Sequence, residues 1–171
     1  MPRYRIVPEE SRVFIDARSN VHPIHTSTEG LEGFVDLDFG GDGVVDLSAS
    51  KPSGKLSLPV SRLSSGNGME DREMQKRVDA RKFPTIEGVL GEIASTGRKN
   101  TYLVSGDVTF RGVSRPHSDE MTISPVDEST VELTGKSTFD IRDFGMEPPR
   151  VLLLKVQPDV DVRVDITAVK E

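Results

Sequence analysis

The chain has 171 residues, with 22 lysines and arginines against 28 aspartates and glutamates, a formal net charge of −6, and no cysteine. A negative chain without a clustered basic segment is not expected to bind nucleic acid, because phosphate binding depends on clustered lysine and arginine. The lack of cysteine excludes disulfides, thiolate metal sites and cysteine catalysis. The length is typical of one domain, which we expect to comprise residues 1–171.

The hydrophobic pattern predicts an almost entirely β protein with eight strands. The clearest strand is the last, in which valine and isoleucine occupy alternate positions of residues 160–166. The glycine-containing turns Gly40–Gly43 and Gly97–Asn100 predict hairpin connections and therefore antiparallel neighbours. The eight segments are Arg12–Val21, Gly30–Phe39, Gly54–Val60, Thr85–Glu92, Tyr102–Phe110, His117–Ile123, Val131–Ile141 and Val160–Val169.

One segment, Gly68–Phe83, breaks the two-residue period. Met74 and Val78 are four residues apart, as on one face of a helix. Pro84 is expected to end the helix, because the residue before a proline is disfavoured in the helical region. We therefore predict one amphipathic helix between the third and fourth strands, where it would cover one end of a barrel or sandwich.

Eight strands with one apolar face must close on themselves or pair with a second sheet, because an open sheet leaves that face and two edges in water. We expect a closed antiparallel barrel, whose interior is just wide enough for side chains or one small ligand. Glycines at inward positions either leave space for a ligand or permit the bends of closure, and composition does not decide between these. The four inward glycines are Gly33, Gly88, Gly106 and Gly135.

Four local patterns occur in an order that resembles one known family. They are Asp71–Arg72 with Phe83–Ile86 after the helix, Gly106–Pro116 (GDVTFRGVSRP), Arg142–Met146 (RDFGM) and the terminal valine-rich strand. Over nearly the whole chain the sequence is similar to the YceI-like family. This resemblance implies a lipocalin-like barrel that holds a polyisoprenoid or similar long-chain lipid in its lumen. Gly88 stands where the family tends to carry an aromatic residue, which would enlarge the lumen near the helix.

We therefore expect a non-enzymatic carrier, without a cofactor, that shields an apolar chain-like lipid such as a polyisoprenoid or an isoprenoid quinone. The alternative is a ligand-free barrel acting as a protein-interaction or stress-response module. Two family-matched arginines, Arg72 and Arg142, either hold a ligand head group or pair with carboxylates such as Asp71 and Asp143. The other expected ligand-binding residues are Val104, Val108, Phe110, Met121, Phe139, Phe144 and Val164.

The polar candidates give weaker signals. His117 and Asp119 share one strand face, where a carboxylate can orient a histidine for proton transfer. No nucleophile or metal accompanies them, so we interpret them as a polar patch near the barrel rim or as a one-residue error in register. His22 and His25 lack a third and fourth ligand, and no metal site is predicted. The loop Gly66–Gly68 precedes an acidic helix start, which favours helix capping over phosphate binding.

No stretch approaches the ~20 apolar residues that span a bilayer, and the first ten residues are polar. The chain begins almost directly at its first predicted strand, whereas periplasmic members of the family carry a leader. We therefore expect a cytoplasmic protein without stable membrane insertion. A homodimer is also compatible with the sequence, with Arg12–Val21 as an exposed strand that could pair.

Overall fold

The computed structural model describes residues 1–48 and 51–171. It contains one α-helix, α1 (Gly68–Val78), and short 3₁₀ turns at Pro8–Glu10, Val60–Arg62 and Ile141–Phe144. The strands are β1 (Arg3–Ile6), β2 (Arg12–Ser19), β3 (Ile24–Thr28), β4 (Glu32–Asp36), β5 (Ser53–Pro59), β6 (Thr85–Ser95), β7 (Thr101–Phe110), β8 (Val113–Pro125), β9 (Thr130–Asp140), β10 (Arg150–Val151) and β11 (Leu154–Lys170).

The sheet closes into a barrel. Its strands follow the order β1, β4, β5, β6, β7, β8, β9, β11, and β11 pairs back to β1. Every pairing is antiparallel. Because β11 is 17 residues long, β2 pairs with it beyond the end of β1, and β3 pairs with β2. The predicted eight-stranded antiparallel barrel is confirmed.

The helix lies between the two strands that were predicted to flank it, which the structure numbers β5 and β6. The numbering changes because β1 and β3 precede them and were not predicted. At four and five residues, β1 and β3 are too short to give a clear alternation. β8 and β11 start earlier than predicted, because the prediction began each strand after a proline, Pro116 or Pro158. Both prolines lie inside the strands. Pro158 falls in an irregularity of the β11 to β2 register, where proline is tolerated.

The interpretation of Arg12–Val21 as an exposed strand for dimer formation is wrong. β2 pairs with β11 on one side and with β3 on the other, so both of its edges are occupied. Its one outward aromatic residue, Phe14, lies directly opposite Arg163, whose guanidinium carbon is 4.2 Å from the ring centroid. This cation–π contact explains why an aromatic residue stands on the wet face of the strand.

The helix ends at Val78, five residues before the predicted end at Phe83. Asp79 adopts a left-handed conformation with φ of 58°, and the backbone N–H of Ala80 donates to the carbonyl of Gln75 at 3.0 Å. At the other end the Asn67 side chain accepts hydrogen bonds from two backbone N–H groups of the first turn, at 3.0 and 3.2 Å. The capping interpretation of the glycine-flanked loop is confirmed.

The barrel interior is packed at the end away from the helix. Tyr102, Ile123 and Val131 point inward there, and each is at most 2% exposed. The segment after β4 crosses this end, with Leu37 fully buried and the backbone N–H of Val45 donating to the Tyr102 hydroxyl at 2.8 Å. Side chains therefore plug one end of the barrel, as in a hydrophobic core.

Candidate functional site

The other end of the barrel is hollow. An apolar cavity of about 380 Å³ lies there, within the range of about 300–1,000 Å³ that small-molecule sites occupy. The change from packed to hollow occurs along single strands: on β11, Ala168 is fully buried and absent from the cavity wall, whereas Val160, Val162 and Val164 are half-buried and line the cavity. The barrel can therefore accept an apolar molecule without displacing its core.

Two elements close over the cavity. The helix α1 presents Met74 and Val78 to it, four residues apart on one face. The segment after β9 contributes Phe144 and Met146, and the Phe144 ring packs edge-on against Phe110, with centroids 5.7 Å apart. The predicted helical cover and the aromatic segment therefore meet over the same opening.

The four inward glycines serve two different purposes. A Cβ on Gly33 would lie 2.0 Å from the carbonyl oxygen of Lys55, and one on Gly106 would lie 2.2 Å from that of Val89, so backbone crosses both positions. Gly88 and Gly135 instead line the cavity: a Cβ on Gly88 would meet only the Leu56 side chain, and one on Gly135 would lie 2.9 Å from the Met121 side chain and 3.5 Å from the Glu120 carbonyl oxygen. Close backbone approach therefore accounts for Gly33 and Gly106, whereas Gly88 and Gly135 leave space in the cavity, and use of that space by a ligand stays a prediction.

β8 and β9 separate along part of the cavity wall. Their ladder joins Met121–Pro125 to Val131–Gly135, while the β7 to β8 ladder continues to Val113. Beyond the ladder, His117 connects the two strands: its Nε2 lies 3.0 Å from the Ser137 hydroxyl oxygen and its ring is 4.4 Å from that of Phe139. The separation widens the barrel where the cavity lies.

His117 lines the cavity, so its side chain faces the barrel interior. Asp119 is close, but its Oδ2 atom is 3.8 Å from His117 Nε2, beyond hydrogen-bonding distance. The hydrogen-bonding partner of the ring is therefore Ser137 rather than the carboxylate. His117 and Ser137 place two hydrogen-bonding groups on a mostly apolar wall.

Two carboxylates lie at the opening of the cavity, on the first turn of α1. Glu70, whose side chain is 11% exposed, has an Oε1 atom 3.4 Å from His22 Nε2. Asp71 Oδ1 accepts hydrogen bonds from the hydroxyl and the backbone N–H of Ser65, at 2.7 and 3.0 Å. No lysine or arginine lines the cavity among the residues described, and the charged side chains on its wall are Glu70, Asp71 and Glu87.

The two other histidines flank Pro23 and contact different carboxylates. His25 Nδ1 lies 2.7 Å from Asp16 Oδ1, whereas His22 approaches the helix. Within residues 1–48 and 51–171, no three metal-ligating side chains form a group that could hold an ion. In the same ranges no helix has the length and apolarity needed to cross a bilayer.

A second depression, of about 460 Å³, lies across β6, β7 and β8. Unlike the barrel interior, it is open to solvent, and Lys51, Glu92 and Asp107 line it. Small-molecule sites are mostly enclosed and apolar, with few polar groups. The interior cavity is therefore the stronger candidate for a binding site.

Comparison with known proteins agrees with this architecture. A family model described as a YceI-like domain matches residues 4–168. The chain belongs to the YceI-like family. It is 27% identical over 179 residues to a UPF0312 protein of Pseudomonas fluorescens (strain SBW25), a match that covers 98% of this chain and 86% of that protein.

Solved structures share the YceI-like fold at low sequence identity. BcnA of Burkholderia cenocepacia superposes with a TM-score of 0.77 at 17% identity, covering 95% of this chain and 98% of that one. A polyisoprenoid binding domain from Saccharophagus degradans, implicated in plant cell wall breakdown, gives a TM-score of 0.76 at 10% identity, covering 98% of each chain. At these identities the likeness establishes the fold.

The structure of this YceI-like chain brings six of the nine predicted ligand-binding residues together. Val104 is half-buried against the core but is absent from the cavity wall, and Arg72 lies exposed on α1. Arg142 is also exposed, and it pairs with Asp140. Ligand contact by any of the nine stays a prediction. The six on the wall are Val108, Phe110, Met121, Phe139, Phe144 and Val164.

The Arg142–Asp140 pair is expected to make stability depend on pH. Hydrogen bonds from the Arg142 guanidinium, and then from its backbone N–H, hold the pKa of the Asp140 carboxyl below its ordinary value. The pair therefore stabilises the fold above the ordinary carboxyl pKa, and that contribution is lost as the pH falls through the lower folded pKa. Compared with the unaltered protein, Arg142→Gln should have a slightly lower urea midpoint at neutral pH and the same urea midpoint in acid.

The control is Arg72→Gln, which removes an exposed arginine that forms no ion pair among the described residues. Its urea midpoint should match that of the unaltered protein at both pH values. An Arg142→Gln deficit that persists unchanged in acid would contradict the assignment, because it would not depend on an ionised Asp140.

Several cavity residues of this YceI-like barrel were missed in the sequence. Leu154 and Val156 lie before the predicted start of the last strand, and Ile24 lies on the unpredicted β3. The apolar run at residues 151–154 was the sequence signal available for Leu154. The chain there is brought to the cavity by pairing with β2, a contact that spans most of the sequence.

Proposed function

We propose that the chain binds a long-chain apolar ligand, such as a polyisoprenoid, an isoprenoid quinone or a similar lipid, in the barrel cavity and without catalysis. The observation that carries the proposal is the contrast between the two ends of the barrel. One end is plugged by side chains that are almost fully buried, whereas the other encloses an apolar cavity of about 380 Å³. A barrel that needed only stability would gain by filling both ends.

Burial of a hydrocarbon chain supplies much of the free energy that this binding needs. Each methylene group that leaves water contributes about 0.8 kcal/mol, so ten groups contribute about 8 kcal/mol. Association costs about 4–15 kcal/mol in lost freedom, which the burial of a long chain largely offsets. The Saccharophagus degradans neighbour, described as a polyisoprenoid binding domain, supports a ligand of the same class.

The charges at the opening favour a ligand whose polar end is uncharged. Glu70 and Asp71 lie there without a lysine or arginine on the described part of the cavity wall, and they would repel a diphosphate. His117 and Ser137 offer hydrogen-bonding groups to a hydroxyl or a carbonyl. Neither of the family-matched arginines is on the wall. A cytoplasmic location and a homodimer stay expectations of the sequence.

Extraction tests the proposal directly. Protein purified without detergent is extracted with organic solvent and analysed by mass spectrometry, and it is then offered a neutral polyisoprenoid alcohol or the matching diphosphate. We expect close to one lipid per chain, and uptake of the alcohol at least about ten-fold better than uptake of the diphosphate. Protein that contains no lipid and takes up neither probe would support the ligand-free interaction module instead. Preference for the diphosphate would overturn the inference of an uncharged end.

A further inference from the structure

Four exposed apolar side chains lie around the open end of the cavity. Leu152 is 87% exposed, Leu153 86%, Val21 64% and Met69 48%. We call these four side chains the mouth rim. Single exposed apolar residues are ordinary, but several large ones grouped at one end of a protein mark an interaction surface.

Two hydrogen bonds and one histidine–glutamate contact connect the three elements of the mouth rim. The Asn20 side-chain amide donates to the carbonyl of Leu153 at 3.0 Å, and the backbone N–H of Lys155 donates to Asn20 Oδ1 at 2.7 Å. The turn after β2 therefore contacts the turn between β10 and β11. On its other side, His22 Nε2 lies 3.4 Å from Glu70 Oε1, which connects the same turn to the start of α1. The mouth rim is one continuous surface.

The turn between β10 and β11 is unfavourable for stability alone. Leu152 and Leu153 form its two-residue loop, and Leu152 has φ of 55°, a left-handed conformation that glycine and asparagine adopt more readily. Two leucines at such a tip cost both backbone strain and exposed apolar area. Residues kept in strained conformations cluster at functional sites.

The mouth rim continues into the cavity wall. Leu154 and Val156 line the cavity directly after the two exposed leucines, and Pro149 lines it just before β10. Across the opening, Ile24 lines the cavity three residues after Val21. A surface that covers the mouth rim would therefore cover the opening through which an apolar ligand enters.

Two cations flank the leucines. Arg150 and Lys155 are partners across the β10 to β11 pairing, both are exposed, and neither forms an ion pair within the part of the chain that the structure describes. Apolar tips beside lysine or arginine are suited to a bilayer surface, where the apolar groups enter the acyl region and the cations meet phosphates. In a symmetric contact with a second copy, these cations would face their own counterparts.

From these observations we propose that the mouth rim docks on the surface of a lipid bilayer, with Arg150 and Lys155 against its phosphates, and so opens the cavity directly to membrane lipid. This goes beyond the binding of a ligand inside the barrel. The two acidic residues at the opening lie on the first turn of α1, whereas Arg150 and Lys155 flank the two leucines on the β10 to β11 pairing, so the phosphates are expected to meet that pairing rather than the helix. The docking is peripheral and involves only the tips of turns and the start of a helix.

The chain has no tryptophan, so a single introduced one reports its own surroundings. Leu153→Trp is mixed with vesicles of phosphatidylcholine and phosphatidylglycerol, and its emission and its quenching by brominated lipids are measured. We expect a blue shift and quenching. The control is Val126→Trp, which is 56% exposed on the turn after β8, at the packed end of the barrel, and should show neither.

Two variants test the energetics by vesicle co-sedimentation. Leu152→Ser combined with Leu153→Ser should bind vesicles about ten-fold more weakly, because two leucines lose their burial in the acyl region. Arg150→Glu combined with Lys155→Glu should lose binding mainly to vesicles that contain phosphatidylglycerol, and most strongly at low salt.

An unshifted Leu153→Trp emission in the presence of vesicles overturns the proposal. It is also overturned if the shift occurs without vesicles and rises with protein concentration, since a second copy then covers the mouth rim. Lipid content by extraction is measured on the same preparations. If protein without extractable lipid still binds vesicles, the docking proposal stands and the proposed function of the cavity fails. The two proposals are therefore tested separately.

Discussion

Replacing Val108 with tryptophan is expected to abolish lipid uptake while the barrel stays folded. Val108 lines the cavity, and its direct partner on β6 is Gly88, which has no side chain to displace. The indole therefore has space, but that space is the cavity. If only two methylene groups of the ligand lost their contacts, at about 0.8 kcal/mol each, the affinity would fall about ten-fold, and a blocked cavity should cost more.

Leu103→Trp is the matched control for Val108→Trp. Leu103 lies on the same strand but is 41% exposed on the outer face, so a tryptophan there adds the same bulk without entering the barrel. Uptake of a neutral polyisoprenoid alcohol is measured for both variants, and circular dichroism checks their fold. If folded Val108→Trp takes up as much lipid as the control, the cavity is not the binding site.

Gly106→Ala should be strongly destabilising although it adds a single methyl group. The new Cβ would lie 2.2 Å from the Val89 carbonyl oxygen, and this atom belongs to the neighbouring strand at the irregularity between Leu90 and Glu92. Backbone cannot yield as a side chain does, so β6 or β7 must move. We expect a loss of about 3 kcal/mol in the free energy of unfolding, the upper end of the usual cost of overpacking.

Gly88→Ala provides the comparison, because it adds the same group on the adjacent strand. There the Cβ would approach only the Leu56 side chain, at 3.2 Å, and that side chain borders the cavity and can move into it. Urea unfolding should place this variant within about 1 kcal/mol of the unaltered protein. Equal losses at the two glycines would show that the close approach at Gly106 does not constrain the barrel.

Much of the barrel could be read from local patterns. The alternation of β11 and the helical spacing of Met74 and Val78 each depend on residues close in sequence, so both elements were predicted, although β11 starts six residues earlier and the helix ends five residues earlier than predicted. The extra strands β1 and β3 were missed because so few residues carry no clear period. The helix end was missed because Asp79, unlike glycine, gives little sign of a left-handed cap.

The cavity wall could be predicted only in part. Alternation shows which face of a strand a residue occupies, but it does not show where the residue lies along the barrel axis. Val104 and Val108 share an inward face of β7, yet only Val108 lines the cavity, since the packed end begins near Val104. Arg142 matched the family pattern, but its neighbour Asp140 holds it outside. The position of a residue along the barrel axis depends on partners that pair from distant parts of the chain, whereas Arg142 pairs with a residue two positions away.

The sequence by itself determined the strand and helix types, the closed antiparallel barrel and the family, because side-chain periods and short motifs are properties of neighbouring residues. The tertiary structure alone decided which end of the barrel is filled, which glycines face backbone, and where β8 leaves β9. It also decided that Asn20 meets Lys155, which places exposed leucines beside the cavity. This last contact follows from the pairing of β2 with β11, which brings together residues that are more than a hundred positions apart.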